Sequence, residues 1–89
     1  IALTAMSPDS SITVTGHTDD VPISNGQFRD NWDLGAGRAA SVVQAIQNTG
    51  LISGDRLSAV SKGEMAPLAD NNTAAGREQN RRIEIEISY

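Results

Sequence analysis

The chain has 89 residues, 38% of them hydrophobic and none of them Cys, so it is long enough for one modest core and offers no disulfide framework or thiol chemistry. Its formal net charge of −4, from 7 basic and 11 acidic side chains, argues against nucleic acid as a partner. No apolar run approaches the roughly 20 residues needed to span a bilayer, and lack of Cys excludes no compartment.

Residues 1–6 (Ile-Ala-Leu-Thr-Ala-Met) read as the last turns of a helix, stopped by Pro8. They are too short, and lack the basic flank, for a signal peptide. The chain also starts without Met, so it is expected to be an excised domain cut inside its first helix. Residues 11–20 organise the rest of the chain. Ile12 and Val14 alternate with Thr13 and Thr15, the period-two, β-branched pattern of a strand. Gly16, His17, Thr18, Asp19 and Asp20 come at its carboxyl end.

Residues 21–30 form a loop by their Pro, Ser, Asn and Gly content, with Phe28 and Trp32 expected to pin it to the body. A helix is predicted over 31–48. Asp30 or Asn31 is its N-cap, Asp33 adds charge to its first turn, and Gly50 is its C′ residue. Leu34, Ala39, Val42, Val43 and Ile46 form its apolar stripe, while Gly35 and Gly37 weaken its start by up to about 1 kcal/mol each relative to Ala. A strand feeding a helix returns by a crossover to another strand, and in such sheets ligands sit beyond the strands' carboxyl ends. Asp19 and Asp20 occupy that place.

Residues 51–55 are a linker and 56–61 a strand, closed by Lys62-Gly63. Residues 64–72 are irregular. Thr73 caps a short helix over 74–79. From Arg82 to Ile87 the pattern alternates cleanly, with Ile83, Ile85 and Ile87 expected inward and Glu84 and Glu86 in water. No internal repeat or low-complexity tract interrupts a single domain over 1–89.

His17, Asp19 and Asp20 lack a clear fourth ligand, and neighbouring strand residues point to opposite faces, so no metal or other cofactor is expected. One His among ordinary Ser residues, with no local signature, argues against a nucleophilic triad. His17 is expected to make a structural hydrogen bond. Asp19 and Arg38 are more informative. One ends a strand and the other lies near the start of the next helix, so they approach across a groove if the helix packs back on the sheet. They form either a structural salt bridge or a receptor for a zwitterionic amino-acid head group, Asp19 taking the ammonium and Arg38 the carboxylate. Arg77, Asn80, Arg81 and Arg82 surround the start of the last strand, as a solvated, charged edge or as part of a site. Alternation puts Arg81 and Arg82 on opposite faces, so at most one reaches a site shared with Arg38.

These residues carry a resemblance. Thr15-Gly16-His17-Thr18-Asp19 and Asn31-x-x-Leu34-x-x-x-Arg38-Ala39-x-x-Val42 resemble the signature of OmpA-like peptidoglycan-binding domains. Arg56-Leu57, Gly63-Glu64-x-x-Pro67, Asn72-Thr73-x-x-Gly76-Arg77 and Asn80-Arg81-Arg82-Ile83-Glu84-Ile85 extend the match over about residues 12–87. The resemblance implies an α+β two-layer sandwich, β-α-β-α-β, with a mixed sheet and helices on one face. The family's first strand and most of its first helix are absent. It implies non-covalent binding of peptidoglycan, with Asp19 and Arg38 holding the diaminopimelate of the stem peptide. Thr18, Asn31 and, of the arginine pair, Arg82 are expected to join them.

The family usually has Ser where Gly35 stands. The loop is longer than in porin and lipoprotein members. Asp20-Val21-Pro22-Ile23 and Phe28-Arg29-x-Asn31-Trp32-Asp33-Leu34 are similar to the MotB-type branch, the flagellar motor stators. The resemblance therefore implies the periplasmic domain of a bacterial inner-membrane protein that anchors a membrane complex to the wall. A stator partner and a homodimer are compatible with it. Anchors of type VI secretion systems and outer-membrane proteins with this domain are the alternatives within the family. Outside it stand a wall amidase or peptidase using His17 and Asp19, which zinc content and peptidoglycan turnover would reveal, and a protein-docking module without glycan contact.

Overall fold

A computed structural model describes residues 10–89 of the chain; the expected helix remnant at 1–6 and its stop at Pro8 lie outside the described residues. Strand β1 (Ser11–His17) leads to helix α1 (Asn31–Asn48), strand β2 (Leu57–Gly63), helix α2 (Ala74–Asn80) and strand β3 (Ile83–Ser88), with a short 3₁₀ turn, Gly54–Arg56, ahead of β2. The sheet order is β2-β1-β3. β1 and β2 are parallel, as a helical crossover requires, and β1 and β3 are antiparallel. This mixed sheet with two helices is the α+β architecture expected from the sequence.

Register explains the core. Ile12 stands between Leu57 and Ile87, and Val14 between Ala59 and Ile85. Side chains alternate across a sheet, so these residues share one face. Helix α1 lies across β1 and β2 and buries Ile12, Val14, Ala39 and Ile52, with Val42, Val43, Ile46, Leu57, Ile83 and Ile87 packed around them. Two expectations change. Ile85 lies on the inward face beside Val14 but is 41% exposed, because α1 covers the β1–β2 side of the face and leaves β3 at its margin. Ile52, placed in a linker, is 3% exposed and plugs the core beneath the end of α1.

The helix termini follow from local chemistry. Asp30 has extended backbone and its Oδ1 accepts the Asp33 amide at 2.9 Å. In return Asp33 Oδ2 accepts the Arg29 amide at 3.1 Å. Because Asp30 is the cap, Asn31 is the first helical residue and its side chain is free for other work. At the far end Gly50 adopts φ +75° as the C′ residue, its amide donating to the Gln47 carbonyl.

Gly16 and Gly35 set how closely strand and helix meet. A Cβ on Gly16 would run into the Gly35 carbonyl oxygen, and one on Gly35 would meet the Ser61 hydroxyl and the Gly16 carbonyl. The weak helix former at 35 thus lets backbone touch backbone, bringing the first turns of α1 against the carboxyl end of β1.

Candidate functional site

Beyond that contact lies an open cleft of ≈ 330 Å³, lined in part by the buried Asp19 and Asn31. Val21, Pro22, Ile23 and Leu34 give it an apolar side, and Arg38, Arg77 and Arg81 line it with positive charge.

Asp19 reaches the cleft because β1 ends at His17 and the chain then leaves the sheet. The Thr18 amide donates to the Gly63 carbonyl at 2.8 Å, and the β1–β2 register shifts between Gly16 and His17. The Asp19 side chain is largely buried and both its oxygens are engaged. Oδ1 accepts the Val21 amide at 3.0 Å, and Oδ2 accepts Arg81 Nη1 at 2.7 Å. Asn31 holds the peptide around it, its Nδ2 donating to the carbonyls of Asp19 and Val21 at 3.2 and 3.1 Å and approaching Glu64 Oε1 at 3.4 Å. The Thr18 hydroxyl donates to the Asp19 carbonyl at 2.8 Å. Farther along, Asn25 Oδ1 accepts the amides of Gln27 and Phe28. The Phe28 ring lies against Gly37, so it pins the loop to α1. Trp32 stays 47% exposed beside Gly63.

Arg38 stands one turn beyond Leu34 on α1. It is exposed, lines the cleft, and has no hydrogen-bond or ion-pair partner among the described residues. The sequence left two readings of Asp19 and Arg38, a structural salt bridge or a receptor. In the structure the ion pair on Asp19 belongs to Arg81, 62 positions away, and Arg38 is left open to solvent.

Of the five expected site residues, Asp19, Asn31 and Arg38 line one cleft, and Thr18 supports it from the buried side. Arg82 does not line it. Its Nε binds Glu84 Oε2 at 2.6 Å and its Nη2 donates to the Ala66 carbonyl at 3.1 Å. Arg81 lines the cleft instead. The signal was present in the alternation of β3. Counting back from the inward Ile87 and Ile83 puts Arg81 on the side facing α1 and Arg82 on the side of Glu84. Arg82 holds the Glu84 carboxyl below its ordinary range, chiefly through that hydrogen bond. His17 belongs to this outer group: its ring is buried, with Nε2 3.4 Å from Glu84 Oε1.

The opposite wall hangs on Asn80, which is fully buried. Its Oδ1 accepts the amides of Leu68 and Ala69 at 2.7 and 2.9 Å, and its Nδ2 donates to the Ala69 carbonyl and Asn71 Oδ1 at 3.0 and 2.7 Å. Arg77 Nη1 donates to the Asn71 carbonyl at 2.9 Å. Among the described residues no group of three or more His, Cys, Asp or Glu could hold a metal ion, and no helix is long and apolar enough to cross a membrane. The arrangement suits an amphoteric ligand. It offers a carboxylate for an ammonium, an open guanidinium fork for a carboxylate, and an apolar side for an aliphatic chain.

Known proteins share this fold and much of this sequence. The OmpA family model matches residues 1–81. Motility protein B of Bacillus subtilis is 38% identical over 85 residues, covering 96% of this chain and 33% of that protein. The peptidoglycan-binding protein ArfA of Mycobacterium tuberculosis is 36% identical over 81 residues, covering 91% of this chain and 23% of that protein. The crystal structure of the C-terminal domain of Helicobacter pylori MotB superposes with a TM-score of 0.89 at 31% identity, over 98% of this chain and 65% of that one. The chain thus spans about a third or less of the length of the two relatives from Bacillus and Mycobacterium.

Proposed function

The chain belongs to the OmpA family, and from that premise we propose that it binds peptidoglycan non-covalently through the diaminopimelate of the stem peptide. The distal end of that residue carries an ammonium and a carboxylate on one carbon. Asp19 takes the ammonium beside its contacts to Val21 and Arg81. Arg38 grips the carboxylate through two parallel N–H···O bonds, a geometry that a Lys at the same place could not supply. The methylene chain lies along Val21, Ile23 and Leu34. Asn31 and Thr18 keep the Asp19 peptide in place and need not touch the ligand. No bond is made or broken, and the protein is not an enzyme.

The observation that carries this reading is the guanidinium of Arg38, without a partner among the described residues, which lines the cleft that also holds the already oriented Asp19 carboxylate. A structural salt bridge with Asp19 would have satisfied Arg38, and Asp19 pairs with Arg81 instead. The likeness to motility protein B and to a peptidoglycan-binding protein supports a role in which the domain anchors a membrane complex, a flagellar motor stator, to the wall from the periplasmic side.

The test is a pull-down on purified sacculi. Wild type should bind walls containing diaminopimelate and neglect walls with Lys at that stem position, because Lys lacks the distal carboxylate. Arg38→Ala and Arg38→Lys should both lose binding while the melting temperature stays near wild type. Undiminished retention of both variants, or equal retention on both wall types, would remove the proposal. Release of soluble wall fragments on incubation would restore the hydrolase alternative.

A further inference from the structure

The contacts of Asp19 and Arg38 with a ligand leave most of the cleft's charge unused. Three guanidiniums, those of Arg38, Arg77 and Arg81, face a single carboxylate, Asp19, so the lining carries a surplus of two positive charges in a chain whose formal net charge is −4. Moreover, the one carboxylate is already neutralised. Arg81 Nη1 sits 2.7 Å from Asp19 Oδ2, and the pair is partly shielded, with Asp19 12% and Arg81 41% exposed. Arg77 is tethered through Nη1 to the Asn71 carbonyl and adds a further positive charge to the lining.

A bare ammonium entering such a site meets an acid that has its counter-ion in place and two further cations around it. Attraction to Asp19 is offset by repulsion from Arg81, since the two charges lie within one ion-pair distance of each other. A ligand that also brings carboxylates reverses the balance, for each one finds a guanidinium. Arg81 has donors left to share, because only one of its nitrogens is committed to Asp19 and its side chain is 41% exposed.

We infer that Arg81 is a specificity-determining residue of the cleft, which through its pairing with Asp19 selects zwitterions whose carboxylates outnumber their ammonium groups and rejects simple amines. The inference rests on the peptidoglycan reading and sharpens it. Arg38 reads the distal carboxylate, whereas Arg81 sets the penalty on an ammonium that comes without enough negative charge and offers a second carboxylate of the stem peptide a partner. Specificity of this kind is a difference of affinities, obtained partly by repelling the wrong ligand.

Titration calorimetry on the intact protein with two soluble probes tests it. One probe is the tripeptide L-Ala-γ-D-Glu-meso-diaminopimelate, and the other is the same tripeptide ending in L-Lys. Wild type should prefer the first by about tenfold or more, the scale of one lost charge-assisted contact. Arg81→Gln should weaken the diaminopimelate probe and strengthen the Lys probe, shrinking the preference by about tenfold. Strengthening is a change that loss of structure cannot produce. Arg81→Lys keeps the charge on Asp19 and should still reject the Lys probe. Arg38→Gln should lose the diaminopimelate probe and gain less for the Lys probe than Arg81→Gln does, because Arg38 is not the counter-ion of Asp19.

If wild type prefers the diaminopimelate probe but Arg81→Gln leaves the preference unchanged, or weakens both probes equally, Arg81 has no selective role while the peptidoglycan reading stands. Acceptance of the Lys probe by Arg81→Lys would overturn the inference in the same way. If wild type binds neither probe, the peptidoglycan reading itself fails and the inference falls with it.

Discussion

The two walls of the cleft are built by the same device and differ in what they leave free. On the first wall Asn31, opening α1, ties down the loop after β1 through one nitrogen shared among the carbonyls of Asp19 and Val21 and the Glu64 carboxylate. On the second Asn80, closing α2, uses both donors and both acceptor sites of its amide on residues 68, 69 and 71. Asn80 is completely buried and its partners are mainly backbone groups, so it is a structural clamp. Asn31 lines the cleft, and its bonds converge on the peptide that carries Asp19. Their arginines differ likewise. Arg81, on the second wall, is paired with Asp19, and Arg38, on the first, has no partner among the described residues. A wall held by saturated hydrogen bonds provides position. In the proposed reading the open guanidinium on α1 provides affinity, because no internal bond must break when a ligand arrives.

This contrast can be broken in four places. The largest effect is expected for Arg38→Ala. Sacculus affinity should fall by about 2–5 kcal/mol, as for a truncated charge pair at a desolvated contact, while stability stays within about 0.5 kcal/mol, as for a surface change. A fall in melting temperature with affinity intact would make Arg38 the structural residue and erase the difference between the walls. Next comes Asn80→Ala. It removes four hydrogen bonds and strands the amides of Leu68 and Ala69, a loss of about 2–4 kcal/mol in urea unfolding.

Asn31→Ala should cost less stability, about 1–2 kcal/mol, because the freed Val21 carbonyl lies in an exposed residue and can turn to water. Its affinity for sacculi should nevertheless fall severalfold as Asp19 loosens. A greater stability loss than for Asn80→Ala would reverse the assignment of clamp and positioning roles. The smallest effect is expected at Asp30, the N-cap whose Oδ1 accepts the Asp33 amide. Asp30→Ala should lower the stability of the helix by about 1 kcal/mol by thermal melting and leave binding nearly unchanged. A strong loss of binding would show that the first turn of α1, and not Arg38 alone, holds the ligand.

Short-range patterns made much of this legible in advance. Helix α1 runs over the expected residues with Asp30 as cap and Gly50 as C′ residue, because capping, apolar period and a left-handed Gly act within a few residues of one another. The strand over Ile12 and Val14 is local in the same sense, and a strand followed by a helix already implied a parallel neighbour, found in β2. Asp19 and Arg38 could be singled out because each sits at the end of a locally defined element.

Features that depended on register and close approach were not legible in this way. The parity that separates Arg81 from Arg82 was present in the alternation of Ile83, Ile85 and Ile87, but that the cleft opens on the same side as α1 is set by how β3 pairs with β1 and how α1 packs on them. Asn80 looked like part of a charged edge until the loop it clamps came to lie around it, and Ile52 looked like linker until α1 left a gap for it. Gly35 cost helix propensity on paper, and its use emerged only in contact with Gly16 and Ser61. The sequence by itself determined the elements, their caps and the strand end that bears Asp19, because those rest on interactions between neighbours along the chain. The tertiary structure decided the partner of Asp19 and the freedom of Arg38, because an ion pair across 62 positions exists only when the sheet brings its two ends together.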